Sequence, residues 1–280
     1  MKKHLKGFLI HLTLIIICFL CLLPFLWLTS TSMKGVEENI FQYPPVLIPE
    51  HPTFENFKEV LKLVPIIKYA LNSFIVAFFT VVLNLIFSAL AAYPLARMDF
   101  RGKNFAFFMI LLTLTVPFQA IMLPCYIIVL KMNLIDSVSD INGYLGMILP
   151  FCVNAFGIFL LRQAFLTIPK EIEESAVVDG CNSFQIFWKI LLPLIKPSLS
   201  VLAIFTFVGS WGEFLWPSII LTKQSLFTLP VGINELQGAF SANYRLIAAG
   251  SIVSIIPILL FFLTLQRYFI KGTNEGAVKG

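Results

Sequence analysis

The chain has 280 residues, of which 58% are apolar and 12% charged, against roughly 45–50% and about 25% in ordinary globular proteins. A mean hydropathy of +0.89 and 29 Phe leave too little polar surface to cover a water-soluble fold, and the same composition excludes a disordered, collagenous or disulfide-stapled chain. The net charge of +5 is dispersed, with no basic stripe interleaved with aromatics, which argues against nucleic acid as a partner. This is the composition of an integral membrane protein.

About 20 apolar residues are needed for a helix to cross the hydrocarbon core. Six stretches qualify, at 8–28, 70–95, 105–130, 144–161, 199–221 and 246–265. The expected fold is therefore all-α, a single transmembrane domain over 1–280 with six transmembrane helices. The first stretch follows Lys2, Lys3 and Lys6 as a secretory signal would, but it is longer than the roughly 7–15 apolar residues of a signal and has no small-residue cleavage site. It is expected to stay as the first helix. Pro117 and Pro124 interrupt the third stretch and predict a kink there, facing protein or a water-filled cavity.

Six spans put both termini on one side, and most of the Lys and Arg collect there: the N-terminus, 97–103, 162–196 and the tail from Arg267. By the positive-inside rule that side is cytoplasmic. The expected location is a bacterial plasma (inner) membrane, with one sizeable cytoplasmic loop at 162–197 and a cytoplasmic tail at 266–280. The opposite side carries a long loop over about 29–69.

Catalytic signatures are lacking. There is no Walker A sequence, no G-x-S-x-G and no H-E-x-x-H, and the three His at 4, 11 and 51 have no ligand-spaced partners. Cys18 and Cys21 are spaced C-x-x-C without the second pair or His of a metal site and read as packing residues; four of the five Cys fall inside apolar runs, where Cys behaves as a small hydrophobe. Neither a metal nor an enzymatic role is expected.

The loop after the fourth stretch is the most informative segment. Pro169 suits a first helical turn, and Glu171, Glu173 and Glu174 suit the positive end of a helix dipole. Gly180 should end that helix, Asn182 or Ser183 should cap a second, and Pro193 should close it. The second helix carries Phe184, Phe187, Trp188, Leu191 and Leu192 at the spacing of one helical face. Such a face must be covered by the chain's own membrane domain, the headgroup region or another protein's groove.

The spacing Glu174-Ser175-Ala176, three residues, Gly180, nine residues, Ile190-x-Leu192-Pro193 closely resembles the E-A-A-x3-G-x9-I-x-L-P motif of ATP-binding cassette (ABC) importer permeases. Asp179 beside Gly180 matches a common variant, and Ser175 for the first Ala is the one departure. Further segments are similar to the maltose-type carbohydrate permeases: Asn72-Ser73, 91–97 with 100–103, 159–163, Trp211 with 214–217, 228–230 and 266–269. Gly276-Ala277-Val278-Lys279-Gly280 resembles the terminal signature of the six-span subunit. The resemblance implies a type I importer permease whose loop docks in a cytoplasmic ATPase through Glu174, Ser175, Ala176, Asp179, Gly180, Ile190, Leu192 and Pro193. It implies a second, non-identical permease, two ATPase subunits and an extracellular substrate-binding protein as partners, and a carbohydrate as substrate. ATP and Mg would be bound by the ATPase partners, with no cofactor in this chain. Gly276, Ala277, Val278 and Lys279 would reach between the ATPases, the alternative being a disordered tail.

Polar residues inside the spans are costly and are candidates for a substrate path. Glu213 lies either on that path or at the outer interface among Trp211 and Trp216. Asn84, Gln119 and Asn154 line the path or bond between helices. Within the permease class, glycerophosphodiester, amino-acid and phosphate transport are the nearest alternatives to sugar transport. An ion-coupled carrier would carry charges deep in several spans, and a membrane enzyme would need converging catalytic groups; neither pattern is present.

Overall fold

In a lipid environment each backbone polar group must be paired within the protein, and a chain this apolar does so by becoming helical. The computed structural model describes residues 2–237 and 243–277, with side chains at 6–237, 243–264 and 266. All regular structure among the described residues is helical: α1 (Lys2–Met33), α2 (Glu55–Leu63), α3 (Ile66–Arg97), α4 (Lys103–Thr113), α5 (Phe118–Lys131), α6 (Asp140–Ile148), α7 (Ala155–Leu166), α8 (Lys170–Val178), α9 (Ser183–Leu194), α10 (Lys196–Trp211), α11 (Leu215–Ile220), α12 (Leu229–Asn234) and α13 (Tyr244–Ala277). The chain divides into two compact units, one of residues 1–67 and 229–257, the other of 68–228 and 258–280.

Helices α1, α3 and α13 are each long and apolar enough to cross a membrane. The other candidate spans are bent pairs: α4 and α5 meet at 99°, the α6 segment and α7 at 54°, α9 and α10 at 75°. Counting each pair as one span gives up to six. The break at Pro117 falls where a kink is expected, whereas those inside the stretches at 144–161 and 199–221 depart from the expected continuous helices. Pro117 has extended backbone and precedes α5, whereas Pro124 is absorbed inside that helix. The stretch expected at 144–161 begins at Asp140, capped by the Ser139 hydroxyl, and restarts after Cys152 where the Asn154 side chain accepts from the Gly157 N–H at 2.6 Å. The helix expected over 199–221 stops at Trp211, and a separate turn, α11, follows Phe214.

In the first unit the loop after α1 is tied by buried polar groups. Lys34, 2% exposed, donates to the Val46 carbonyl at 2.7 Å and lies 5.3 Å from the Trp27 ring centroid. Asn56 donates to the Ser32 and Lys34 carbonyls at 2.9 and 2.8 Å. Glu38 accepts from the Glu50 and His51 amides; the slight burial that would raise its pKa is outweighed by these bonds and by Lys34, which lower it.

In the second unit two apolar cores lie along α3. One joins its final turns (Ala89, Ala92, Leu95) to α7 and α10, and the other joins Val76 to Met147, Trp216 and Ile220. Asn72 donates to the Ser225 and Phe227 carbonyls at 3.0 Å each and accepts from the Tyr144 hydroxyl at 2.7 Å. Asp136, 1% exposed, accepts from the amides of Thr222 and Lys223 at 2.6 Å each and from the Thr222 hydroxyl at 3.0 Å. Burial would raise its carboxyl pKa, but these donors and the Lys223 charge hold it below the ordinary value. Trp216 donates its indole N–H to the Gly146 carbonyl at 3.0 Å, and a Cβ on Gly146 would come within 2.1 Å of the Leu134 carbonyl oxygen. A backbone atom cannot swing aside, so Gly146→Ala is expected to destabilise by at least the 1–3 kcal/mol or so of overpacking. A melting temperature equal to that of the unaltered protein in detergent would contradict this packing.

Candidate functional site

The loop between α7 and α10 forms a rigid double helix-end. Helix α8 closes with a pair of bonds that satisfies its last carbonyls: the Gly180 N–H donates to Val177 O at 3.0 Å and the Cys181 N–H to Ala176 O at 2.9 Å. This geometry needs a left-handed residue, and Gly180 supplies it with φ of +80°. Two residues later α9 starts with a reciprocal box, the Asn182 side chain accepting from the Gln185 N–H and the Gln185 side chain from the Asn182 N–H, both at 2.9 Å. The turn therefore has little freedom to flex.

The element is fastened to the membrane helices beneath it. Ala176 is buried, sharing a core with Phe165, Ile186, Phe187, Leu191 and the end of α3. Its small side chain thus serves packing within this chain, not an outward contact. Ile190 and Leu192 are half-buried against the same core, and Pro193 is exposed. Arg97, at the last turn of α3, forms an ion pair with Glu173 of α8 at 2.8 Å, the side chains 5% and 19% exposed, and its guanidinium also donates to the Ile168 carbonyl. Arg162 of α7 donates to Leu95 O at 3.1 Å and stands 4.0 Å from the Phe107 ring centroid. Glu174, Ser175, Asp179 and Gly180 face outward with Val177 and Val178.

The aromatic face expected on α9 is split. Phe187 and Leu191 are buried, Phe187 against Tyr93 at 5.1 Å, whereas Phe184 and Trp188 are 69% and 39% exposed and pack on each other at 6.0 Å. The cause is a π-helical turn over Ile186–Leu191, which winds wider than an α-helix: residues four apart (Phe184 and Trp188, Phe187 and Leu191) stay on one side, while residues three apart (Phe184 and Phe187, Trp188 and Leu191) are carried onto different sides. Nor does Pro193 end the helix, which runs to Leu194 before bending into α10.

The break between the α6 segment and α7 and the interruption between α10 and α11 meet at a cavity of about 220 Å³ in the second unit. Asn154, from the break before α7, and Glu213, from the break after α10, both line it, together with Thr80, Thr206, Ser210 and aromatic rings. Glu213 accepts from the Trp216 N–H at 3.1 Å, so its carboxylate also caps α11. Thr80 is 1% exposed, and the hydroxyls of Thr80 and Thr206 are buried with no hydrogen-bond partner. Asn84 does not line the cavity: fully buried, it donates to the Phe151 carbonyl at 3.3 Å and accepts from Ser88 at 3.4 Å, a bond between helical segments. Gln119 is exposed in the first turn of α5. The helix expected to end near 265 continues through Gly276 and Ala277, while Val278 and Lys279 lie outside the described residues.

Residues 84–275 match the family described as binding-protein-dependent transport system inner membrane component. The chain belongs to this family. The permease is 42% identical over 209 residues to the arabinooligosaccharides transport system permease protein AraQ of Halalkalibacterium halodurans, covering 75% of this chain and 73% of that protein. It is 32% identical over 270 residues to the sn-glycerol-3-phosphate transport system permease protein UgpE of Yersinia pestis bv. Antiqua, covering 94% of each. Its fold is similar to that of a chain from a bacterial ABC transporter involved in the import of the acidic polysaccharide alginate, with a TM-score of 0.80 at 26% identity over 96% of this chain and 98% of that one.

The permease is thus an inner-membrane transport component of an ABC importer, not an enzyme, and works with an ATPase and a substrate-binding protein. Sequence reasoning missed Thr80, Thr206 and Ser210, whose hydroxyls are inconspicuous in apolar runs. It also missed the Arg97–Glu173 pair, although a base at the end of a span and an acid cluster in the following loop were both visible.

Proposed function

We propose that this permease moves a sugar or oligosaccharide inward by alternating access, driven by ATP that two separate ATPase subunits bind with Mg. A second, non-identical permease completes the membrane passage. Both termini are cytoplasmic, as the distribution of Lys and Arg favours. Helix α8, the Gly180 turn and α9 dock on an ATPase, with Glu174 and Asp179 offering charge and Phe184 and Trp188 apolar contact.

The observation that carries this reading is the exposed face of a doubly capped turn whose opposite face is packed into the membrane helices. An element locked to the spans and bare toward the aqueous side transmits displacement, which a pliant loop would dissipate. Sugar as the cargo is supported by the named substrate of the 42% identical relative.

The test is reconstitution with the ATPases and the binding protein in proteoliposomes. Uptake of arabinotriose or maltotriose is expected to require ATP and every subunit. Uptake by this chain alone, driven by an ion gradient, would overturn the proposal. Truncation after 275 probes the tail separately, and full retention of stimulated ATP hydrolysis would argue against a role for 276–279.

A further inference from the structure

We propose that the cavity between the two broken spans is a contact site for one neutral sugar ring within this permease, and that Glu213 excludes anionic substrates from it; this rests on the sugar-transport reading above. Irregular backbone is tolerated at membrane depth only where it is covered by protein or lines a water-filled space, and here both breaks open on one space. Its volume of about 220 Å³ admits several waters at about 30 Å³ each, or a single ring, but not a whole oligosaccharide.

The lining chemistry suits a polyol. Thr80 and Thr206 hold hydroxyls in low-dielectric surroundings with no partner, an arrangement that costs free energy unless something fills it. A hydroxyl both donates and accepts, as do those of a sugar. Glu213 lines the cavity while one of its oxygens caps α11, and a carboxylate has further acceptor capacity. Phe151 and Phe205 offer apolar surface to the C–H face of a ring.

Charge narrows the class. Among the described residues no Lys or Arg lines the cavity, so a uronate or phosphate would meet one carboxylate and no counter-charge, and repulsion is stronger here than in water. The arrangement therefore separates neutral sugars from the anionic substrates named for UgpE and for the alginate importer.

The probe is equilibrium binding of radiolabelled arabinotriose, maltotriose and trigalacturonate to the whole complex in nanodiscs, without binding protein. The neutral sugars are expected to bind at least 10-fold more tightly than trigalacturonate. Thr80→Val and Thr206→Val, which keep side-chain shape, should each weaken neutral binding about 10-fold, the scale of one buried hydrogen bond. Glu213→Gln, whose amide oxygen still caps α11, should narrow the gap to trigalacturonate. Equal binding of neutral and anionic sugars, unchanged affinity in both Thr variants, or no binding of any probe overturns the inference. ATP-driven uptake of either neutral sugar by the same complex with its binding protein would leave the proposed function standing in each of those cases.

Discussion

Gly180→Val is expected to abolish ATP-driven uptake, by at least 10-fold, while leaving the permease in the membrane at near-normal amounts. No heavy atom lies within 4 Å of the position a Cβ would take, so the substitution is spatially permitted; the obstacle is φ of +80°, which a β-branched residue adopts only with strain. The cost falls on the turn itself, and the relief available is to unmake the bonds from the Gly180 and Cys181 amides that close α8. The loop then loses its fixed angle between α8 and α9, and displacement of one no longer dictates that of the other. Measuring uptake, ATPase stimulation by loaded binding protein and membrane abundance together separates uncoupling from misfolding. Uptake and stimulation both at the level of the unaltered complex would show that the turn is not the transmission point.

Arg97→Met should have the next largest effect, because it leaves Glu173 as a mostly buried carboxylate without its cation. Removing one partner of a buried pair commonly costs about 3–5 kcal/mol, far more than the pair contributes against an apolar replacement. The guanidinium's bond to the Ile168 carbonyl is lost as well. Helix α8 is then expected to detach from the end of α3, lowering the thermal midpoint of the complex and its ATP-to-transport ratio. Arg97→Met combined with Glu173→Leu, which removes both charges, should recover most of the thermal loss. A double variant no more stable than the single one would show that the pair is not what fastens α8.

The membrane class, the long helices and the α8–turn–α9 plan were legible in the sequence because each rests on a local signal. Apolar run length located α1, α3 and α13, and Gly180 and Asn182 located the ends of two loop helices through the side-chain and backbone chemistry that ends require. The breaks at 152–154 and 212–214 were not legible. Runs around them are apolar enough to continue, and what stops them combines a tertiary bond with local ones: Trp216 turns inward to reach the Gly146 carbonyl, while Glu213 and Asn154 become caps, a role that a polar residue inside an apolar run does not announce. The same limit hid the cavity, which depends on two breaks far apart in the chain lying side by side. Of the two roles open to Asn84 in the sequence, a substrate path or a bond between helices, the structure shows the bond, to the Phe151 carbonyl.

The wide turn at Ile186–Leu191 also fixes how many residues the segment must contain. An α-helix advances about 100° per residue. Deleting one residue outside the turn, with its wide winding kept, would swing everything downstream by roughly that amount. Leu202 and Phe207, now inward on α10, would then be aimed at lipid, and the exposed Phe205 toward the interior. The segment is thus constrained in register as well as in chemistry: a one-residue deletion between Leu192 and Pro197, where no wide turn can absorb it, would be felt as a rotation of the whole following span, even if every remaining side chain were the same.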